Sequence, residues 1–137
     1  MSNFEKNLEQ ALNNAKRLTD KILIDGKLIS AQTNNKIPVL NPSTGDNIGS
    51  APQCDKNDVN IAVESAYKAF QKWKKIPARE RGKMVAAGAK RLEERKSEIE
   101  TLLSLDTGNA LRTQAIPETA ASIELTNMFA GLSGELK

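Results

Sequence analysis

The chain has 137 residues, of which 39% are hydrophobic, 27% charged and only 4% aromatic. That length suits one domain or a piece of one, and any core must be built from Ala, Leu, Ile and Val. There is no histidine and a single cysteine, Cys54, which excludes His-based acid–base catalysis, Ser-His-Asp and Cys-His nucleophile pairs, His or Cys-cluster metal sites and an internal disulfide.

In residues 2 to 19, Phe4, Leu8, Ala11, Leu12, Ala15 and Leu18 recur at three- and four-residue spacing. This predicts an amphipathic helix packed on its own domain. Its stripe is too weakly apolar, and its polar face too mixed in sign, for a membrane-lying helix. The character changes at Lys21. Ile22-Leu23-Ile24, then Asp25-Gly26, then Lys27-Leu28-Ile29 is a hairpin pattern, because glycine accepts the positive φ of a tight primed turn. Lys36 to Pro42 carries two prolines and reads as an edge strand. Ser43-Thr44-Gly45-Asp46 is a turn, and Asn47 to Pro52 returns as a second short strand. Such pieces cannot make a self-sufficient sheet.

From Asp55 the chain is helical. Asp55 and Asp58 have capping-box spacing, and Val59, Ala62, Val63, Ala66, Phe70 and Trp73 follow at helical intervals to about Lys75. A second helix is expected from Pro77 to Leu105, with Met84, Val85, Ala89, Leu92, Ile99, Leu102 and Leu103 on its stripe and interleaved Arg, Lys and Glu opposite. Gly108 can supply a left-handed stop. Pro117 opens a last helix to about Leu132, lined by Ala121, Leu125, Met128, Phe129 and Leu132. Each one-sided helix needs something to cover, and the visible strands are too short to be that something.

No phosphate-binding glycine loop occurs: Gly45 and Gly49 fit neither the Walker pattern nor G-x-G-x-x-G. Cys54 precedes a helix start but has no partner base in sequence, so a reactive nucleophile is not expected there. Glu93, Glu94, Glu98 and Glu100 sit on a polar face and do not form a buried carboxylate pair. The net charge of +3, spread among acids and without an aromatic platform, gives no footprint for nucleic acid. No 18-residue apolar run is present, so no membrane span is expected. Glu5, Glu9 and Asp20 argue against a targeting leader, and a reduced, cytoplasmic setting is the expectation.

The order of motifs nevertheless resembles the aldehyde dehydrogenase superfamily. Ile24-Asp25-Gly26-Lys27 and Val39-Leu40-Asn41-Pro42-Ser43-Thr44-Gly45-Asp46 are similar to its opening motifs. Asp58-Val59-Asn60-Ile61-Ala62-Val63, with Ala66, Ala69, Phe70 and Trp73, is similar to its first long helix. Arg79 to Arg81 and Leu92-Glu93-Glu94-Arg95 fit its next helix, Leu105-Asp106-Thr107-Gly108 matches L-D-T-G-K, and Met128-Phe129-Ala130-Gly131 resembles Y-Y/F-A-G. Asn109-Ala110, in place of Lys-Pro, and Met128, in place of an aromatic, depart from the pattern.

The resemblance implies an α/β family fold with a Rossmann-type cofactor domain. Only its N-terminal part would be represented here: a variable amphipathic helix at 1–20, then a portion at 21–137 made of a β-hairpin with edge strands at 21–52 and three to four helices. It implies NAD(P)-dependent oxidation of an aldehyde to a carboxylic acid, through a thiohemiacetal, hydride transfer and thioester hydrolysis. The family's nucleophilic Cys, general-base Glu and cofactor loop match no residue here, and Cys54 does not correspond to the nucleophile. The chain alone is thus expected to be inactive and to bind no NAD or NADP, with the aldehyde a partner only of the complete enzyme. The alternative is an interaction module that docks on a full-length or complementary C-terminal chain, or self-associates. By the same resemblance, the main-chain carbonyls of Val39, Leu40 and Asp106 match positions that bind a monovalent cation in some members. Pro117 and Ala121 match positions lining the aldehyde entrance.

Overall fold

The structure, a computed structural model, describes residues 2–135; Met1, Leu136 and Lys137, at the ends of the expected spans, lie outside the described residues. Helix α1 (Asn3–Leu18) opens with a reciprocal cap, in which Ser2 Oγ accepts from the Glu5 N–H and Glu5 Oε2 accepts from the Ser2 N–H. Strands β1 (Lys21–Ile24) and β2 (Lys27–Ser30) pair antiparallel, with Ile24 opposite Lys27. Asp25 and Gly26 both have positive φ, 52° and 72°, the signature of the primed turn whose twist suits two strands. Strands β3 (Lys36–Leu40) and β4 (Asn47–Pro52) form a second antiparallel pair, with a register shift between Val39 and Leu40. These two ribbons are the sheets of the described residues.

Helix α2 (Lys56–Trp73) begins at a capping box. Asp55 accepts from the N–H groups of Asn57 and Asp58, and the Asp58 carboxylate accepts from the Asp55 N–H. The same carboxylate takes the Gln32 N–H at 3.0 Å. It therefore ties α2 to the loop after β2, which explains a carboxylate only 3% exposed.

Two differences from the sequence expectation follow. The helix expected over Pro77–Leu105 is two helices, α3 (Ala78–Glu94) and α4 (Lys96–Thr107). Arg95 leaves the helix at φ −114°, ψ 15°, in a bridge conformation open to any residue, so no proline or glycine marks the break. Its guanidinium clasps Glu98 through two hydrogen bonds, of 3.0 and 2.6 Å. The break lets α3 lie on the last helix while α4 turns onto α1. That last helix, α5 (Ile116–Leu132), starts before Pro117. A wide turn at Leu111–Ala115 leads into it, with the Ala115 N–H reaching the Ala110 carbonyl at 3.2 Å and Gln114 Oε1 capping the Ala110 N–H. Three acids of the polar face are spent on i,i+3 pairs: Arg91–Glu94, Arg95–Glu98 and Lys96–Glu93.

Among the described residues the buried apolar ones are Ala11, Ala89, Ala115, Ile123 and Ala130, so a single large side chain stands among four alanines. The exposed area is 9834 Å², whereas a compact monomer of this mass exposes about 7,000 Å². Val63, Tyr67 and Phe129 are each more than 60% exposed. The helices are thus held to one another by one face each, and by small residues.

The α3–α5 crossing leaves no room for a side chain at Gly82. A Cβ on Gly82 would stand 2.5 Å from the Ala130 carbonyl oxygen and would collide with Ser133. Gly82→Ala is expected to destabilise by about 1–3 kcal/mol, although alanine favours a helix. Gly88→Ala, on the same helix with nothing within 4 Å of its Cβ, is expected to be neutral or to stabilise by up to about 1 kcal/mol. Urea midpoints of the two variants check this, and equal shifts would refute the crossing.

The turn out of α1 is held by charge. Asp20, at φ 59°, accepts from Ser50 Oγ at 2.7 Å and pairs with Lys36, while its own N–H bonds the Ser50 carbonyl at 3.0 Å. The Lys36 ammonium and the Ser50 hydroxyl, both hydrogen-bonded to it, hold the Asp20 carboxyl below its ordinary value of 3.8. A folded-state pKa below the unfolded one means that this stabilisation is complete above about pH 4 and fades as pH falls through the folded value. Stability curves of the chain and Asp20→Asn, taken from pH 6 downward, should converge in that range. A gap independent of pH would refute the tie.

Candidate functional site

The two most specific sequence motifs meet in space. In Asn41-Pro42-Ser43-Thr44-Gly45-Asp46 two side chains and several main-chain groups close the turn between β3 and β4. Asn41 Oδ1 accepts from the Ser43 N–H at 2.9 Å, and the Asn41 carbonyl accepts from the Gly45 N–H at 2.8 Å. Thr44 Oγ1 accepts from the Asp46 N–H, and the Asn41 N–H reaches the Asp46 carbonyl at 2.9 Å. Gly45 supplies a positive φ of 77°. Opposite it, Leu105-Asp106-Thr107-Gly108 ends α4. Thr107 Oγ1 donates to the Leu103 carbonyl, and Gly108 caps the helix at φ 75° with its N–H on the Ser104 carbonyl. A Cβ on Gly108 would lie 2.8 Å from Pro42 Cγ, so the proline of one motif seats on the glycine of the other.

Asn109, which departs from the family pattern, is used. Its carbonyl accepts from Ser104 Oγ at 2.7 Å, and its amide nitrogen lies 3.3 Å from Glu118 on α5.

Beside this junction is an open cavity of about 430 Å³ walled by α1, the β3–β4 ribbon and α4. Val39 and Asp106 both line it. Leu40 follows at the register shift and is exposed. Asp106 lies in the last turn of α4, where main-chain carbonyls lack intrahelical donors and the helix dipole is negative. Pro117 and Ala121 are not among the residues lining this cavity. They lie one turn apart on α5 and are exposed, next to the equally exposed Leu125.

Catalytic groups do not converge. Cys54 is exposed and free, directly before the Asp55 cap, and among the described residues no base is hydrogen-bonded to its thiol. Among the described residues no group of three or more Cys, Asp or Glu could hold a metal ion. The start of α2 and the positive-φ glycines offer no phosphate cradle. The amides opening α2 are filled by Asp55 and Asp58, whose carboxylates repel phosphate. Gly26, Gly45 and Gly108 serve a hairpin turn, a β-turn and a helix stop. No parallel strand leads into a helix among the described residues.

Gly108→Ala would add left-handed strain, about 1–2 kcal/mol, to the contact with Pro42. The combined cost should be about 1–3 kcal/mol, and smaller in a Pro42→Ala background where Cγ is gone. Chemical denaturation of the double-mutant cycle tests this, and strict additivity would deny the Pro42–Gly108 contact.

Comparison with known proteins places these elements. Residues 28–137 match the model of the aldehyde dehydrogenase family. A phenylacetaldehyde dehydrogenase of Pseudomonas fluorescens is 34% identical over 122 residues, which are 88% of this chain and 24% of that protein. The crystal structure of betaine aldehyde dehydrogenase from Staphylococcus aureus, in complex with NAD+, superposes with a TM-score of 0.83 at 27% identity, covering 92% of this chain and 25% of that one. The HpcC structure from Thermus thermophilus shares the fold with a TM-score of 0.87 at 24% identity, over 93% of this chain and 25% of that one. The chain spans about a quarter of the length of the relatives it matches. It therefore belongs to the aldehyde dehydrogenase family.

Proposed function

We propose that these residues form the outer helical cover of the cofactor domain in an NAD(P)-dependent aldehyde dehydrogenase, an enzyme that oxidises an aldehyde to a carboxylic acid. They contribute no nucleophile, base or cofactor loop. The carrying observation is the excess of exposed apolar surface on helices whose ribbons are too small to cover it. In this reading a complementary C-terminal portion supplies the sheet that α2 and α5 face, and a homo-oligomer is the further level of assembly. A cytoplasmic setting agrees with the single exposed thiol of Cys54. No helix among the described residues is long and apolar enough to cross a membrane.

Within the reading, Val39, Leu40 and Asp106 offer carbonyl oxygens to a monovalent cation. The support is that Val39 and Asp106 face one cavity at the negative end of α4. Pro117 and Ala121 are assigned to the aldehyde entrance, on the strength of their exposed position at the start of α5.

The pure chain, mixed with NAD+ or NADP+ and a panel of aldehydes, is expected to give no absorbance of reduced cofactor, while binding a hydrophobic fluorescent dye strongly. Turnover proportional to the chain, or no dye binding, would overturn the reading. Replacing choline by potassium at constant ionic strength should raise the melting temperature, and an unchanged melting temperature would remove the cation assignment.

A further inference from the structure

The β1–β2 turn holds a chemistry that no other part of the chain shares. Asp25-Gly26 is the one Asp-Gly or Asn-Gly step among the 137 residues. Glycine carries no side chain, so its amide nitrogen can approach a neighbouring carboxyl without hindrance. Both residues are exposed, and a Cβ on Gly26 would meet nothing within 4 Å. No hydrogen bond of the described residues engages the Gly26 N–H or the Asp25 carboxylate. By contrast, the carboxylates of Asp20, Asp55 and Asp58 are each held by hydrogen bonds. Asp46 and Asp106 precede Asn47 and Thr107, whose side chains crowd the nitrogen.

The backbone is already set for ring closure. Asp25 has φ 52°, in a region that L-residues seldom enter. With Gly26 at φ 72°, the turn is type I′. Rotating the one peptide plane between the two residues gives type II′, which keeps the first φ near +60° and carries its ψ to about −120°. Two-residue hairpins accept both types, so the pairing from Ile24–Lys27 to Lys21–Ser30 survives the flip. At that ψ the Gly26 nitrogen eclipses Asp25 Cβ about the Cα–C bond, the arrangement of a five-membered ring through Cγ.

We propose that Asp25 is a site of spontaneous isoaspartate formation, through a succinimide that closes within the folded hairpin. The Gly26 nitrogen attacks Asp25 Cγ in its carboxylic-acid form. The N–Cγ bond forms, the Cγ–OH bond breaks, and the hydroxyl leaves with the amide proton as water. Water then opens the ring. Cleavage of the N–Cγ bond restores aspartate. Cleavage between that nitrogen and the Asp25 main-chain carbonyl carbon leaves the chain running through Cγ, an isoaspartyl linkage of unchanged mass. No oxidant or further reactant takes part. The linkage adds one main-chain atom to a loop whose register depends on two residues. It would therefore loosen Ile24, which walls an open groove with Phe70 and Trp73 of α2.

The full chain, kept folded at neutral pH for weeks, is mapped by Asp-N digestion and electron-transfer fragmentation beside the same chain kept in urea. The expected result is isoaspartate confined to Asp25, forming in the folded chain within about tenfold of its rate in the unfolded one. A larger slowing would mean that the ring waits for the hairpin to open, and would overturn the proposal. Isoaspartate accumulating equally at Asp46 or Asp106 would overturn it too. Asp25→Asn keeps a turn that Asn-Gly suits, and loses ammonia where aspartate loses water. That variant should gain one mass unit at residue 25 while folded, and an unchanged mass would refute closure in the turn. In the purified isoaspartyl form the amides of β1 and β2 should exchange faster with solvent, whereas unchanged exchange would refute the loss of register.

Discussion

Helix α5 is apolar around most of its circumference, yet only the side with Thr119, Ile123 and Ala130 is buried. A helix written that way is stable in water only when surrounded. The rest of the architecture answers to that demand. Helix α3 covers one side, at a crossing so close that Gly82 has no room for a Cβ. Leu125, Met128, Phe129 and Leu132 stay exposed because the two ribbons, each of two strands, present no broad face. The Thr119 hydroxyl, buried without a hydrogen-bond partner, lies on this same helix. Family membership gives the demand a physical sense. The chain spans about a quarter of the length of the relatives it matches, and in the proposed reading the remainder of such an enzyme would cover this surface.

The second organising feature is a junction of turns. The proline of the β3–β4 turn sits on the glycine that stops α4, while Asp20 fastens the end of α1 to β3 and β4. Short ribbons are marginal alone, and here they are held by side-chain-to-backbone hydrogen bonds and helix ends. The family motifs N-P-S-T-G and L-D-T-G thereby acquire a structural role. Their Asn41, Thr44, Gly45, Thr107 and Gly108 close turns and build no reactive centre.

Much was legible before any coordinates. Asp25-Gly26 announced a primed hairpin because few residues tolerate positive φ. Asp55 and Asp58 announced a helix start because orphan amides need acceptors. The missing histidine removed whole classes of catalysis. Less legible were the break at Arg95 and the wide turn at Leu111–Ala115. Arg95 occupies a backbone region that any residue can adopt, so its departure is decided by α3 and α4 finding different partners, α5 and α1. Asp58 looked like a capping residue only; its bond to the Gln32 N–H spans 26 positions and carries no local signal.

The candidate residues divide in the same way. Val39 and Asp106 are far apart in sequence, and only the tertiary structure brings both to one cavity. By itself the sequence determined the local geometry of turns, caps and amphipathic stripes, and the family to which they belong, because these depend on residues a few positions apart. The tertiary structure alone decided which stripes are covered, where the long helix breaks and which residues share a cavity, because burial and long-range hydrogen bonding depend on how distant segments meet.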